Sequence, residues 1–248
     1  MPWDTNSPSS ETIALPDRII SINKPYRWTS FDVVRKLRRP LLDEKRNEAI
    51  AAGETPPKKF KVGHAGTLDP LATGLLIICT GKFTRSIEEI QSMEKEYTGT
   101  ITLGATTESF DLETKPENFK PFQHITPEQI LSASKNFSGE MLQTPPAHSA
   151  KKIEGKRAYE MARKGIDVEM KPALITIKNL KITGIRLPEI DFVVQCSKGT
   201  YIRSIASDLG RILGTGAYLS SLCRTRIGTY SVAEALSPEE FIIQLADR

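Results

Sequence analysis

Residues 63–74 are Gly63-His64-Ala65-Gly66-Thr67-Leu68-Asp69-Pro70-Leu71-Ala72-Thr73-Gly74, and the apolar run 75–79 follows them directly. Glycine permits a positive φ, and proline restrains the chain just after the one carboxylate of the segment. The pattern predicts a rigid loop that presents Asp69 at the start of a buried strand or helix. Leu-Asp-Pro also suits an ordinary turn or a helix N-cap, so this segment alone leaves a catalytic and a structural role open.

The composition is that of an ordinary globular protein. A chain of 248 residues with 39% hydrophobic content can bury a full core without disulfides. The cysteines Cys79, Cys196 and Cys223 have no C-x-x-C spacing, which predicts core residues in a reducing compartment and argues against a zinc site. The N-terminus lacks a signal-peptide pattern, and no apolar run approaches the ~20 residues of a membrane span. We therefore expect a cytoplasmic protein that does not enter a membrane.

The pattern of apolar and turn residues predicts one large domain. The polar segment 1–17 is predicted to be a disordered tail, and residues 18–248 to form the domain. Strands are predicted at 18–22, 97–104, 173–177 and 192–197, and helices after Ser30, at 126–137 and at 201–213. The charged stretch 43–61, which follows Pro40, is predicted to be a mobile surface loop. Strands and helices do not alternate strictly, which favours an α+β fold with a mostly antiparallel central sheet.

Two sets of basic residues are candidates for contacts with nucleic acid. Residues 151–165 combine seven Lys, Arg or Tyr residues with two acids, a pattern that also suits a solvated amphipathic helix. A weaker, scattered set consists of Arg203, Arg211, Arg224 and Arg226. The formal net charge of +4 permits a polyanionic partner without requiring one.

Tyrosine and arginine residues at the ends of predicted elements extend this hypothesis. Tyr97 begins a predicted strand, and Tyr201 and Arg203 follow a turn, two residues apart. An aromatic ring can stack on any nucleobase, and an arginine beside a carboxylate keeps that carboxylate ionised and oriented. For each tyrosine taken alone, a half-buried core position is the alternative.

Over residues 18–236 the chain closely resembles the bacterial tRNA pseudouridine synthase B (TruB) family. Five blocks carry the resemblance, in the family's order: Asn23-Lys24-Pro25, the stretch 63–74, Lys95-Glu96-Tyr97, Gln143-Thr144-Pro145-Pro146-Ala147-His148-Ser149-Ala150 and Ser197-Lys198-Gly199-Thr200-Tyr201-Ile202-Arg203. The resemblance implies a pseudouridine synthase fold with a thumb-like insertion at 140–170. It also implies isomerisation of uridine 55 in the TΨC loop of tRNA, by base flipping and without a cofactor or metal.

The resemblance also implies a role for each matching residue. Asp69 corresponds to the essential aspartate, which either attacks the sugar or base or removes a ribose proton. Tyr97 corresponds to the aromatic residue under the flipped uracil, and Arg203 to the partner of Asp69. The remaining matches are Tyr201 and Leu222 at the pocket wall, His64 as the residue that holds the loop with its base extruded, and Lys24 as a buttress of the pocket floor.

Several features depart from the commonest family pattern. Ala65 replaces a threonine, His148 replaces a tyrosine, and the stretch 43–61 is longer than in compact relatives. Only twelve residues follow Leu236, so we expect no C-terminal PUA domain and tRNA binding by the catalytic domain and thumb alone. The resemblance suggests a monomer with no obligate protein partner, acting on the T-arm of tRNA.

Three alternatives remain at the level of sequence. The first is an RNA chaperone that refolds tRNA through the same surface, and the second is a pseudouridine synthase with another RNA target. The third is a metal-dependent hydrolase built on Asp69 with His64, Asp111 or Glu113. The third is disfavoured because the chain has only three histidines and no H-x-x-x-H pattern.

Overall fold

The computed structural model describes residues 17–149, 151–153, 155–164, 166 and 169–247. The strands of this part are β1 (Ile19–Lys24), β2 (Val62–Ala65), β3 (Thr73–Thr80), β4 (Lys95–Leu103), β5 (Gly139–Gln143), β6 (Lys152–Ile153), β7 (Lys156–Arg157), β8 (Ala173–Arg186), β9 (Glu189–Cys196), β10 (Ala217–Ile227) and β11 (Tyr230–Ser231). The helices are α1 (Ser30–Ala51), α2 (Ile87–Ser92), α3 (Pro127–Ser134), α4 (Ala158–Ala162), α5 (Ile202–Ile212) and α6 (Pro238–Ala246).

One large sheet organises the described part of the chain. Its strand order is β1-β3-β10-β4-β9-β8-β5, with β2 paired to β3 and β11 paired to β10. All these pairs are antiparallel except β3 with β10, which run parallel. The predicted α+β fold with a mostly antiparallel sheet is confirmed. None of the helices in the described ranges is long and apolar enough to cross a membrane.

The continuous apolar run of β3 is explained by burial on both faces of the strand. Leu76 and Ile78 pack into a core that α1 and α6 share with β1. Leu75 and Ile77 point to the other face, where they pack against Ile90 of α2. A strand covered on both sides requires apolar residues without alternation. The largest core lies at the other end of the sheet, where α3 and α5 cover β4, β8 and β9.

The helix after β1 is longer than the sequence predicts. The prediction of a mobile loop at 43–61 is wrong for 43–51, because α1 continues through Pro40 to Ala51. Burial of Leu41 and Ala49 against the core offsets the cost of an internal proline. The prediction of Ser30 as the cap is also wrong, because Thr29 caps the helix in a capping box with Asp32.

Other predicted elements are confirmed within one to three residues at each end, except that β8 runs well past the predicted 173–177. Thr126 caps α3, and α5 ends shortly before Gly214, whose φ is +75°. Asp17, assigned to the tail by sequence, accepts a hydrogen bond from the Lys82 backbone N–H at 2.8 Å. Residues 1–16 lie outside the described residues.

The basic segment predicted as thumb is described only in part. Residues 150, 154, 165, 167 and 168 lie outside the described residues. The remainder forms the short β6–β7 hairpin and the five-residue α4, and not one long amphipathic helix. Arg163, just after α4, forms an ion pair with Glu113 and lies over the ring of Tyr159, 5.3 Å from its centroid. This ion pair attaches the segment to the loop that contains Asp111.

Candidate active site

Asp69 lies on the seven-residue connection between β2 and β3. The two strands pair antiparallel, with His64 opposite Ile78, so the connection is the turn of a hairpin. Gly66 has a φ of +97° and Gly74 a φ of +101°, conformations that favour glycine, whereas Gly63 lies within β2. A Cβ at Gly74 would lie 2.4 Å from the backbone oxygen of Arg224. Glycine at 74 therefore permits the close parallel pairing of β3 with β10.

The turn before α1 holds this loop from behind. The Ser30 hydroxyl accepts from the Leu68 N–H at 2.8 Å and donates to the Leu68 carbonyl at 3.2 Å. The Arg27 N–H donates to the Pro70 carbonyl at 2.8 Å. The fully buried Lys24 ammonium donates to Trp28 O at 2.6 Å, and to Pro25 O and Pro70 O at 3.0 and 3.4 Å. These bonds brace the loop on both sides of Asp69.

Arg203 is the direct partner of Asp69. It is the second residue of α5, and its Nε lies 2.9 Å from Asp69 Oδ2 and 3.6 Å from Asp111 Oδ2. Its two terminal nitrogens donate to Ser109 O at 2.9 Å and to His148 O at 3.0 Å. Every arm of the guanidinium is therefore engaged, which fixes its plane beside the carboxylate.

The electrostatics of Asp69 combine opposing effects. Displacement of water by the surrounding protein raises the pKa of its carboxyl, Asp111 and Glu113 add to the rise, and Arg203 lowers it. The net direction is upward. Because 41% of the side chain is still exposed, the carboxylate remains open to a ligand from the cleft side.

Arg224 supports the loop from the sheet. It lies on β10, is 1% exposed, and donates from Nε to Leu75 O at 2.8 Å and from Nη2 to Gly66 O at 3.0 Å. From the sequence it appears only as a member of a scattered basic set. Residues two apart on a strand point to the same face, and Arg224 follows Leu222 by two residues on β10. That spacing is the signal that could have placed Arg224 at the site.

A cleft of about 810 Å³ brings five of the predicted site residues together. They are Asp69, Tyr97, Tyr201, Arg203 and Leu222. Tyr97 is 9% exposed, and burial raises the pKa of its phenol. Lys95 also lines the cleft, and burial lowers its pKa to about 8.

Lys24 and His64 do not line this cleft. Lys24 lies behind the loop, where burial lowers its pKa to about 8 although Asp69 opposes the shift. His64 is half-buried on β2, and burial lowers its pKa. Lys24 bonds to Pro70 O behind the loop, and its role as a buttress and the role of His64 at the extruded RNA loop stay predictions.

The arrangement suits chemistry by a single carboxylate. Within the described ranges, no group of three or more His, Cys, Asp or Glu residues could hold a metal ion. Asp111 faces Arg203 and accepts from the Ser109 hydroxyl at 2.6 Å. The Asp69 carboxylate, its buried guanidinium partner and the Tyr97 ring line the cleft together, an arrangement that suits nucleophilic or acid–base chemistry by the carboxylate.

Comparisons with known proteins identify the family of this chain. The family model "TruB family pseudouridylate synthase (N terminal domain)" matches residues 55–202, more than half of the chain. A protein of Flavobacterium johnsoniae named tRNA pseudouridine synthase B is 50% identical over 222 residues, covering 90% of this chain and 93% of that relative. A protein of the same name from Parabacteroides distasonis is 50% identical and covers 90% of both chains.

A solved structure supports the same assignment at the level of the fold. A chain in the crystal structure of a Cbf5–Nop10–Gar1 complex matches with a TM-score of 0.66 and 25% identity over 91% of this chain. This protein spans about half of that neighbour, 53% of its length. With the family model and the relatives, these matches confirm the resemblance found in the sequence: the chain belongs to the TruB family of pseudouridylate synthases.

Proposed function

We propose that this protein isomerises uridine 55 in the T-loop of tRNA to pseudouridine, with Asp69 as the reacting carboxylate. Family membership makes it a tRNA pseudouridine synthase, an isomerase that acts on tRNA. The position of the target uridine and the role of each residue are the parts that we add.

The observation that carries the proposal is the Asp69–Arg203 pair at the wall of the cleft. The carboxylate is 41% exposed toward the cleft, its guanidinium partner is 4% exposed, and Tyr97 and Leu222 complete the wall. A base inside a helical stack cannot reach a group in a cleft, so the target nucleotide has to be flipped out. Unstacking costs a few kcal/mol, which favourable contacts in the cleft offset.

The reaction rearranges one nucleotide without any added reagent. The N1–C1′ bond breaks, the uracil turns, and a C5–C1′ bond forms. C5 loses its proton and N1 gains one, so the atoms balance. Asp69 either forms a transient bond to the sugar or base, or removes a ribose proton, and both routes require it ionised and close to the nucleotide.

The neighbouring side chains have supporting roles in this proposal. Arg203 holds the Asp69 carboxylate in one orientation, and Tyr97 lies under the uracil. Tyr201 and Leu222 confine the nucleotide from the sides. Lys24 keeps the loop in place through Pro70, and His64 contacts the RNA loop left by the flipped base. We further propose that the protein acts as a monomer in the cytoplasm and needs only the T-arm stem-loop.

Substitution Asp69→Asn tests the proposal. The amide keeps the shape but not the charge, so we expect tRNA binding and folding to persist while tritium release from C5-labelled uridine is lost. Asp208→Asn, at a partly exposed carboxylate of α5 that pairs with Arg211, is the matched control and should retain full activity. Tritium release by Asp69→Asn at the rate of the control would refute the role of Asp69.

The same pair of variants separates catalysis from an RNA-chaperone function. A protein that acts only by refolding tRNA would restore tRNA folding equally well as wild type and as Asp69→Asn, with no pseudouridine formed by either. Mapping pseudouridine in tRNA from cells with and without the protein identifies the target, and we expect a loss confined to position 55.

A further inference from the structure

A group of basic and aromatic residues, here called the basic patch, lies on the turn after β1 and the first turns of α1. Its members are Tyr26, Arg27, Phe31, Arg35, Lys36 and Arg38. All six are exposed, and a cavity of about 330 Å³ opens between Arg27, Arg35 and Lys36. The proposed chemistry uses none of them.

The basic patch is the outward face of an amphipathic helix. Phe31, Arg35 and Arg38 are four and three residues apart, so they share one side of α1. The opposite side buries Val33, Val34 and Leu37 in the core. The apolar side chains on the buried side stabilise the position of α1 in the fold. The exposed Phe31 ring and the exposed cations Arg35, Lys36 and Arg38 are not needed for that packing.

Most of the positive charge on this face is uncompensated. Among the described residues, no carboxylate forms an ion pair with Arg27, Lys36 or Arg38. Arg35 contacts Asp32 at 2.8 Å, but that carboxylate also caps α1 through the Thr29 N–H. One acid against four cations leaves a local positive field that favours a polyanion.

Two aromatic rings of the basic patch are exposed beside cations. Tyr26 is 50% and Phe31 57% exposed. The Arg27 guanidinium lies 5.5 Å from the Tyr26 ring centre, and that of Arg38 lies 5.9 Å from the Phe31 ring centre. Exposed rings interleaved with arginines are typical of surfaces that bind single strands and loops of RNA.

The basic patch is joined rigidly to the catalytic loop. The Arg27 N–H bonds to Pro70 O at 2.8 Å, and the Ser30 hydroxyl bonds to both the N–H and the carbonyl of Leu68. The two bonded loop residues flank Asp69. The position of the basic patch relative to Asp69 is therefore fixed by the fold.

From these observations we infer that the basic patch binds the sugar-phosphate backbone of the substrate RNA next to the flipped nucleotide. This inference rests on the proposed function and extends its binding surface beyond the cleft. Arg27, Arg35, Lys36 and Arg38 contact phosphates, and the Tyr26 and Phe31 rings pack against riboses or unstacked bases. The contacts fix register and orientation and contribute to affinity, not to the chemical step.

The test is the triple variant Arg35→Gln/Lys36→Gln/Arg38→Gln, measured against a control that removes the same charge elsewhere. The control is Lys135→Gln/Lys181→Gln/Arg211→Gln, whose exposed residues lie just after α3, on β8 and on α5. In each triple one arginine has a carboxylate partner within the same helix. The probes are tRNA transcript and the T-arm stem-loop, with binding measured from low to high salt and turnover measured under KM and saturating conditions.

We expect the patch triple to weaken tRNA binding at least about tenfold near 0.1 M salt, and to reduce the slope of log affinity against log salt by about two to three. KM should rise while kcat at saturating tRNA stays unchanged. In a separate variant, Phe31→Ala should weaken binding about fivefold, whereas Ile243→Ala, which removes another exposed apolar side chain, should have no effect.

Equal affinity and equal salt slope for the two triples, with normal turnover by both, would overturn the inference and leave the proposed function intact. Loss of kcat with unchanged tRNA affinity would also overturn it, because the residues would then act on the chemical step. Absence of pseudouridine formation and tRNA binding by the wild-type protein would overturn the proposed function together with this surface. An acidic protein that competes for the basic patch while tRNA does not would assign the patch to a protein partner.

Discussion

Arg203 Nε lies 2.9 Å from Asp69 Oδ2, and the two side chains differ tenfold in exposure, 4% against 41%. The guanidinium is held inside the protein by the carbonyls of Ser109 and His148, while the carboxylate faces the cleft. The pair is therefore a fixed cation that orients an accessible anion.

The first prediction concerns the shape of that cation. Arg203→Lys keeps the charge but replaces a planar fork of spaced donors by one compact ammonium, which cannot reproduce the separate bonds to Asp69, Ser109 O and His148 O. We expect the single-turnover rate to fall about 100-fold or more, and the free energy of unfolding to fall by about 1–3 kcal/mol. Arg211→Lys, on the same helix, should leave the single-turnover rate unchanged and should alter the free energy of unfolding by no more than about 0.5 kcal/mol. Wild-type turnover by Arg203→Lys would mean that charge alone suffices.

The second prediction concerns pH. The pKa of Asp69 is raised above its ordinary value of 3.8, and activity requires the ionised form, so activity is lost as pH falls through this raised pKa. Glu113 contributes to the rise. We therefore expect Glu113→Gln to move the acid limb of the kcat/KM profile to lower pH.

Glu108→Gln is the control for this shift. Its side chain is 73% exposed, and it is not among the groups that influence Asp69. The acid limb of Glu108→Gln should coincide with that of wild type. A limb that stays in place in Glu113→Gln, or moves equally in both variants, would contradict the assignment of the limb to Asp69.

The third prediction concerns the buried ammonium of Lys24. Lys24→Met removes a buried donor from three backbone carbonyls, of which Pro70 O and Pro25 O keep a second donor and Trp28 O loses its 2.6 Å bond, so we expect a loss of about 1–3 kcal/mol in the free energy of unfolding at pH 7. Folding lowers the pKa of Lys24 from 10.5 to about 8. Between pH 8 and 10.5 the Lys24 side chain binds more protons in the unfolded chain than in the folded chain. The contribution of Lys24 to the free energy of unfolding of wild type therefore increases as pH rises through this range.

The stability gap between wild type and Lys24→Met should therefore widen between pH 8 and 10, as measured by urea unfolding. Lys135→Met, at an exposed position at the end of α3, should show a constant gap within about 0.5 kcal/mol. A gap that narrows with rising pH would show that Lys24 is not held with a lowered pKa.

The fourth prediction separates backbone strain from steric conflict at the active-site strand. Gly74→Ala meets both, because φ is +101° and a Cβ would lie 2.4 Å from Arg224 O. Gly53→Ala introduces only backbone strain, because φ is +70° and no atom lies within 4 Å of the added Cβ. We expect about 1 kcal/mol of destabilisation at Gly53 and at least about 3 kcal/mol at Gly74, with turnover lost only at Gly74. Equal effects in thermal unfolding would mean that the β3–β10 pairing is not tight.

Local patterns in the sequence were sufficient for much of the fold. Period-two alternation located β4, a short run of strand-forming residues before the turn 198–200 located β9, and the Thr-Pro start located α3, because these signals depend only on neighbouring residues. The length of α1 was not accessible in this way. A proline at position 40 locally favours a helix end, and only the burial of Leu41 and Ala49 against the core explains why the helix continues.

The same division holds for the site. The sequence by itself determined the glycine-bracketed loop that carries Asp69, since turn chemistry and the adjoining apolar strand are local properties. The tertiary structure decided that Arg203 closes on Asp69, that Arg224 bonds beneath the loop, and that His64 lies away from the cleft. These contacts join distant segments, and they exist because the strand order β3-β10-β4 places the Asp69 loop, Arg224 and Tyr97 on neighbouring strands.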